Sequence, residues 1–134
     1  MTETAEQRSR IMRAVRGKNT RPELLVRRLA HRLGYRFRLH RDDLPGKPDL
    51  VFPRLQKVVF VHGCFWHGHI CARGARVPVR NRDYWQQKVA RNKARDETVP
   101  KSLQALGWQS LVIWECETRR ELAVEKRLKR FLEK

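Results

Sequence analysis

Residues 49–62 read DLVFPRLQKVVFVH, two runs of β-branched and aromatic residues on either side of a proline-containing break. Short runs of this kind, bounded by turn residues, are typical of a β-hairpin. With Arg54-Leu55 at the turn, Asp49 lies opposite Phe60 and diagonal to His62 on one face. Side chains in that relation are close enough to share a metal-bound ligand.

The chain before the hairpin predicts a helix and a strand. Thr20 and Glu23 fit a capping box, in which each residue satisfies a free N–H at the start of a helix. The helix is expected to end before Gly34. Residues 35–39 alternate as a strand does. The apolar side of the helix is expected to consist of three leucines: Leu25, Leu29 and Leu33.

The chain after the hairpin predicts two helices and a strand. A helical pattern begins at Asn81 as N-cap and reaches Asp96, and Pro100 is expected to break or restart it. Residues 108–114 predict a buried strand, with Trp108 and Trp114 in the core. Residues 120–133 predict a basic amphipathic helix whose apolar residues are Leu122, Leu128, Phe131 and Leu132. The order α-β-β-β-α-β-α implies an α/β fold, with a central mixed sheet flanked by helices on both faces.

The composition predicts one soluble domain, residues 1–134, that binds a polyanion. Lys and Arg total 31 against 14 acidic residues, which makes the net charge +17. A positive charge of this size attracts polyanions. Nucleic acid is the first candidate partner, and an anionic membrane is the second. We expect no membrane association, because no apolar run is long enough to span a bilayer. Three cysteines without a visible signal peptide argue for an intracellular protein without disulfides.

Residues 62–71, HGCFWHGHIC, combine three histidines, two cysteines and two large aromatics. Thiolate and imidazole are the ligands that a tetrahedral zinc ion prefers. We expect a structural zinc site made of Cys64, His69, Cys71 and Cys116. His67 is the alternative fourth ligand, and buried cysteines acting as small hydrophobic residues are the alternative to any zinc site.

Several segments of the chain resemble one family, the very-short-patch repair (Vsr) endonucleases. These segments are LPGKPDLV (44–51), VHGCFWH (61–67), Tyr84-Trp85 with Lys88, Asn92 and Asp96, LGW (106–108) and WEC (114–116). The resemblance implies a restriction-endonuclease-like fold with a structural Zn²⁺ ion and a catalytic Mg²⁺ ion. It also implies a bacterial, cytoplasmic enzyme close to the nucleoid. The enzyme would nick the T-bearing strand of a T·G mismatch, the product of 5-methylcytosine deamination.

The resemblance also assigns catalytic roles. Asp49 would bind Mg²⁺ together with the main-chain carbonyl of Val61. His67 would be the general base and His62 would orient the water or the phosphate, as imidazole can near neutral pH. Phe60 stands where related nucleases place a second carboxylate. Glu23 matches an acidic position near the family's active site, although its capping role is a sufficient alternative.

The expected substrate is double-stranded DNA with a T·G mismatch, bound by a monomer and handed on to mismatch-repair proteins. Phe65 and Trp66 match aromatics that the family inserts beside the mismatch, and Trp85 resembles a third. Residues 1–19 would form a basic arm or helix around Met12 that contacts DNA. Lys88 and Asn92 would face DNA or belong to a solvated helix stripe. The competing hypothesis is a zinc-stabilised nucleic-acid-binding module without catalysis. For single residues, the alternatives are that Asp49 is only a turn carboxylate and that Trp85 packs in the core.

Overall fold

The computed structural model describes residues 20–64 and 81–133, and these ranges show the α-β-β-β-α-β-α order that the sequence predicted. The helices are α1 (Arg21–Arg32), α2 (Arg82–Ala105) and α3 (Glu121–Glu133), with a short 3-10 helix at Glu115–Arg119. The strands are β1 (Arg38–Leu39), β2 (Leu50–Phe52), β3 (Lys57–His62) and β4 (Gln109–Trp114).

The four strands form one mixed sheet in the order β1-β2-β3-β4. β1 and β3 both run antiparallel to β2, whereas β4 runs parallel to β3. β2 and β3 are the predicted hairpin, and Leu50 pairs with Val59. One further step in this register sets Asp49 opposite Phe60, as the sequence predicted. The hairpin therefore brings Asp49 to the end of the sheet where β3 finishes.

The start of α1 confirms the predicted cap. The Thr20 hydroxyl oxygen accepts a hydrogen bond from the Glu23 main-chain N–H at 3.4 Å. The helix ends before Gly34, which has a φ of 89°, a conformation that glycine adopts without steric penalty. The predicted apolar side was only partly right. Leu29 is fully buried, but Val26 and Ala30 are buried with it while Leu25 and Leu33 are only partly buried.

β1 is shorter than the alternating pattern of residues 35–39 predicted. Only Arg38 and Leu39 pair with β2. The Tyr35 and Phe37 rings instead pack against Phe52, with ring centroids 6.3 Å and 5.9 Å away. Docking of these two rings on the sheet, rather than strand pairing, therefore anchors the segment after α1.

Two apolar clusters lie on opposite faces of the sheet. On one face, α1 and α3 cover Leu50, Val59 and Ile113. On the other face, Leu103 of α2 packs against Val51, Val58 and Phe60. Helices therefore cover both faces, as the order of elements implied. Alternate residues of β3 enter the two clusters, which follows from the two-residue period of a strand.

Lys57, at the start of β3, is buried, and nearby main-chain carbonyls stabilise its positive charge. Its Nζ donates to the main-chain carbonyl of Phe131 at 2.7 Å, in the last turn of α3. The final carbonyls of a helix lack partners within the helix and carry partial negative charge, so a lysine is stabilising there. This bond attaches the end of α3 to the sheet.

α2 runs through Pro100, so the prediction that this residue breaks the helix was wrong. A proline inside a helix removes one N–H donor and crowds the preceding turn. Val99 and Leu103, on either side of Pro100, both pack into the second apolar cluster. Packing on both sides therefore keeps the helix continuous. Asn81 is the N-cap as predicted, but it has a φ of 57° and its side chain makes no capping hydrogen bond.

The buried stripe of α3 also differs from the prediction. Its buried residues are Val124, Leu128 and Leu132, whereas Leu122 is 74% exposed. Leu122 precedes Val124 by two positions, which is about 200° around a helix. It therefore points away from the sheet. Across residues 20–64 and 81–133, no helix combines the length and the apolar character needed to cross a membrane.

Candidate active site

Asp49 is held at the end of the sheet by two hydrogen bonds to β3. Its main-chain N–H donates to the Val59 carbonyl at 3.1 Å. Its carboxylate Oδ2 accepts from the Val61 main-chain N–H at 2.6 Å. The carboxylate thus accepts a main-chain N–H of β3, as the carbonyl of a paired strand would, and it lies directly beside the Val61 peptide. The family resemblance implied that the Asp49 carboxylate and the Val61 carbonyl would share a metal ion.

Glu23 reaches the same place from the first turn of α1. It is 4% exposed, and its Oε2 lies 2.6 Å from Nη2 of Arg27, one turn further along the helix. Nε2 of His40, in the connection between β1 and β2, lies 3.0 Å from the same Arg27 nitrogen. A carboxylate, a guanidinium and an imidazole therefore form one partly buried network next to Asp49.

Glu23, His40 and Asp49 lie together at this end of the sheet, and the two carboxylates among them are the groups that suit a hard cation. Each offers one ligand atom, and these three atoms lie within 4.8 Å of one another. Carboxylate oxygens suit Mg²⁺, which fills the rest of its shell with water and phosphate oxygens. Glu23, from α1, thus brings a second carboxylate close to Asp49, whereas Phe60 brings none. The donor chemistry fits a divalent cation.

The electrostatics of Asp49 point the same way. Burial raises the pKa of Asp49 from 3.8 to about 8, because loss of water disfavours the ionised form. The Val61 N–H opposes this shift by bonding to the carboxylate, while a hydrogen bond and the like charge from Glu23 add to it. The Arg27 guanidinium lowers the pKa. A divalent cation between the two carboxylates would favour their ionised forms.

His62, the last residue of β3, is buried between two aromatic rings. Its ring centroid lies 5.6 Å from that of Phe60 and 5.2 Å from that of Trp114, which it meets edge-on. Phe60 is the residue opposite Asp49, so His62 sits two positions further along the same face of β3. The sequence predicted this placement of His62 relative to Asp49.

The position of Trp114 contradicts the prediction that Trp108 and Trp114 both belong to the core. Trp114 pairs with His62 in the parallel register of β3 and β4, and it is only partly buried. Its ring therefore packs on the candidate active-site histidine at the end of the sheet. Trp108 is also partly buried and packs on the second apolar cluster, with the Arg41 guanidinium 5.6 Å from its ring centroid.

Two of the four predicted zinc ligands are brought together. Cys64 is fully buried, and its Sγ accepts a hydrogen bond from the Cys116 main-chain N–H at 3.4 Å. Main-chain N–H donation stabilises a thiolate, the form of cysteine that binds zinc. The donors therefore fit the predicted ion. His69, Cys71 and the alternative ligand His67 lie outside the described residues.

The predicted DNA contacts are described only on α2. Trp85, Lys88 and Asn92 are half-buried and follow one another at helical spacing, on the stripe that continues into Val99 and Leu103. They therefore do not form a fully solvated stripe. The Tyr84 and Trp85 rings lie 4.8 Å apart. The other predicted contacts, Met12, Phe65 and Trp66, lie outside the described residues.

Sequence reasoning missed Arg27 and His40. Arg27 stands four residues after Glu23, a spacing that pairs opposite charges on a helix, so this contact could have been found. His40 carries no such signal. It has a positive φ of 52°, which is uncommon for a residue with a side chain, and only the turn between β1 and β2 directs it toward Glu23.

A mixed sheet covered on both faces, with a buried carboxylate pair and a histidine at its end, fits the class of α/β nucleases. Comparison with known proteins identifies the family. The family model described as DNA mismatch endonuclease Vsr matches residues 2–73. The chain belongs to the Vsr family of DNA mismatch endonucleases, as the sequence motifs indicated.

Relatives extend this match over nearly the whole chain. The chain is 52% identical over 128 residues to the type II nicking enzyme V.XorIIP of Xanthomonas oryzae pv. oryzae, covering 96% of this chain and 93% of the relative. It is 39% identical over 127 residues to the DNA mismatch endonuclease Vsr of Escherichia coli, covering 94% and 81%. It is 38% identical over 129 residues to V.NmeAIP of Neisseria meningitidis, covering 96% and 91%.

Proposed function

We propose that this protein is a Mg²⁺-dependent endonuclease that nicks the T-bearing strand at T·G mismatches left by deamination of 5-methylcytosine. The observation that carries the proposal is the meeting of Asp49 and Glu23 at the end of β3. Family membership supports DNA as the substrate. The charge of +17 supports binding to its phosphates.

Asp49, the Val61 carbonyl and Glu23 are the groups that would hold Mg²⁺. The ion would neutralise charge on the scissile phosphate and lower the pKa of a bound water. The Val61 N–H keeps the Asp49 carboxylate oriented through its 2.6 Å hydrogen bond. Arg27 balances the charge of Glu23. Without an ion, burial raises the pKa of Asp49 to about 8, and a bound cation would displace its proton.

His62 and His67 are the groups that would move protons. We assign the general base to His67 and the orientation of the water or the phosphate to His62. The rings of Phe60 and Trp114 restrict rotation of the His62 imidazole. A fixed imidazole direction is useful because in-line attack requires a positioned nucleophile.

A structural zinc ion would hold the loop that follows β3. Its ligands would be Cys64, His69, Cys71 and Cys116. Within that loop, Phe65 and Trp66 would enter the base stack beside the mismatch. Opening a stack costs a few kcal/mol per step, and a mismatched pair is less costly to open. The same loop would therefore connect mismatch recognition to the cutting site.

The remaining DNA contacts would come from α2 and the N-terminal arm. Trp85, Lys88 and Asn92 would approach the duplex from the half-buried stripe of α2. The arm around Met12 would follow a groove. We propose that the protein acts as a monomer in the bacterial cytoplasm and passes the nicked duplex to mismatch-repair proteins.

The test is strand-resolved cleavage of a labelled duplex that contains one T·G pair, with a T·A duplex of the same sequence beside it. We expect a Mg²⁺-dependent nick in the T-bearing strand of the first duplex only. Asp49→Asn should abolish the nick. Asp43→Asn is the matched control, because Asp43 is an exposed carboxylate paired with Arg41. Tight binding to T·G without a nick, across a panel of flanking sequences, would instead indicate a binding module.

A further inference from the structure

Arg27 is the cation nearest to the carboxylate pair among the described residues. Its side chain is 15% exposed, and its Nη2 lies 2.6 Å from Oε2 of Glu23. A guanidinium is planar and always charged, and it offers N–H donors without any acceptor. Arg27 therefore places a permanent positive charge beside Glu23, independent of any metal ion.

His40 fixes the direction of that guanidinium. Its Nε2 lies 3.0 Å from Arg27 Nη2 and 3.4 Å from Glu23 Oε2. These contacts cannot both be hydrogen bonds, because the first requires a lone pair on Nε2 and the second requires a proton. Arginine can only donate, and its contact is the shorter one. We therefore assign Nε2 as the acceptor from Arg27.

The backbone attaches His40 to Asp49, the residue that carries the other carboxylate. The His40 main-chain N–H points to the Asp49 carbonyl at 3.4 Å. His40 also keeps its left-handed φ of 52° in the turn that leads away from β1. The imidazole thus reaches Arg27 while the peptide remains beside Asp49. One residue connects the two sides of the cluster.

We infer that Arg27 and His40 are positioning residues for the metal site, which together hold the Glu23 carboxylate beside Asp49. This inference rests on the proposed function. Without the Arg27 guanidinium, the Glu23 carboxylate loses the 2.6 Å contact that holds it, and the like charge of Asp49 turns it away. Without the His40 lone pair, the guanidinium loses one of its two partners and no longer has a single orientation. Either loss weakens cation binding, although neither residue touches the substrate.

The test compares four variants of the full chain, R27M, R27K, H40L and H40Q. Mn²⁺ is the probe, since it accepts the oxygen ligands that Mg²⁺ uses and its binding to DNA-free protein is measured by electron paramagnetic resonance. The Mg²⁺ concentration that gives half-maximal nicking is the second readout. Groups that orient metal ligands typically change affinity by about 10-fold or more when removed. We expect this loss for R27M and H40L.

The conservative variants separate positioning from a merely structural role. Gln at position 40 keeps an acceptor oxygen and Leu does not, and both meet the same strained backbone. We therefore expect H40Q to recover much of the Mn²⁺ affinity that H40L loses, and R27K to bind Mn²⁺ more tightly than R27M. Thermal melting shows that each variant is folded. R28M is the matched control, because Arg28 is on the same helix with 67% of its side chain exposed.

Three results would overturn the inference. They are an unchanged Mn²⁺ affinity in R27M and H40L, equal affinities in H40L and H40Q, and an equal loss in R28M. In the first case, a change in the KM for DNA would make Arg27 a DNA contact. If the parent protein binds Mn²⁺ but never nicks a T·G duplex, the proposed function fails and the positioning of the cation site is still measured.

Discussion

Cys64 and Cys116 meet through the same register that places His62 beside Trp114. In the parallel pairing of β3 and β4, His62 is opposite Trp114. Cys64 and Cys116 lie two residues beyond this pair, and the Cys116 N–H donates to Cys64 Sγ at 3.4 Å. The candidate zinc ligands and the candidate active-site histidine thus share one strand pair. Loss of the zinc ligands should therefore alter the position of His62, and a substitution of His62 should alter theirs.

Removal of zinc should therefore affect both stability and catalysis. We expect a strong chelator, followed by dialysis, to lower the melting temperature and to abolish nicking even after Mg²⁺ is restored. A structural zinc ion that binds only the folded chain would contribute its binding free energy directly to folding. Readdition of Zn²⁺, but not of Mg²⁺, should restore the melting temperature. A purified protein with far less than one equivalent of zinc and an unchanged melting temperature would contradict this prediction.

The raised pKa of Asp49 predicts an unusual dependence of stability on pH. Between 3.8 and about 8, the folded protein keeps a proton on this carboxyl that the unfolded chain has released. Because the folded state binds more protons, the free energy of unfolding should fall as the pH rises through this window. Mg²⁺ should reverse the fall by binding the ionised carboxylate.

Urea unfolding of the metal-free protein at a series of pH values would measure this effect. Asp49→Asn has no carboxyl to titrate, so its stability relative to the parent should increase with pH, and Mg²⁺ should not stabilise it. Asp43→Asn is the control, since the exposed Arg41 partner lowers the pKa of Asp43 instead. Parallel curves for the parent and Asp49→Asn would show that Asp49 is ionised throughout.

Gly46 should be less tolerant of substitution than two other glycines with similar backbones. A Cβ at Gly46 would lie 2.6 Å from Cγ1 of Val99 and 3.0 Å from Cε1 of Phe60, whereas at Gly34 and Gly107 it would meet nothing within 4 Å. All three have positive φ angles between 78° and 89°. Gly34→Ala and Gly107→Ala should cost about 1–2 kcal/mol of stability through the backbone alone.

Gly46→Ala should cost about 1–3 kcal/mol more than these controls, because the new methyl group must displace α2 or the Phe60 ring. Phe60 contacts His62, so nicking should also fall for Gly46→Ala and not for the other two. The measurements are urea unfolding and single-turnover nicking. Equal losses of stability at the three glycines would mean that the turn before Asp49 can move away from α2 freely.

Much of the fold was predictable because its signals are local. The two β-branched and aromatic runs of 49–62 and the turn between them predicted the hairpin and its register, and Thr20 predicted the start of α1. Elements whose limits depend on packing against distant residues were harder to predict from the sequence. α2 continues through Pro100 because Val99 and Leu103 are anchored on the sheet. Leu122 was misassigned because the buried stripe of α3 is set by the position of the sheet.

The sequence by itself determined the family, the hairpin, and the position of Asp49 opposite Phe60 and diagonal to His62. These follow from motifs and from strand period, which neighbouring residues specify. Only the tertiary structure decided that the Glu23 side chain lies beside Asp49, and that Arg27 and His40 complete the cluster. The physical reason is that α1, the turn after β1 and the start of β2 come together only when the sheet is packed. Burial at that meeting point raises the pKa of Asp49, and a cation bound there would favour the ionised carboxylates.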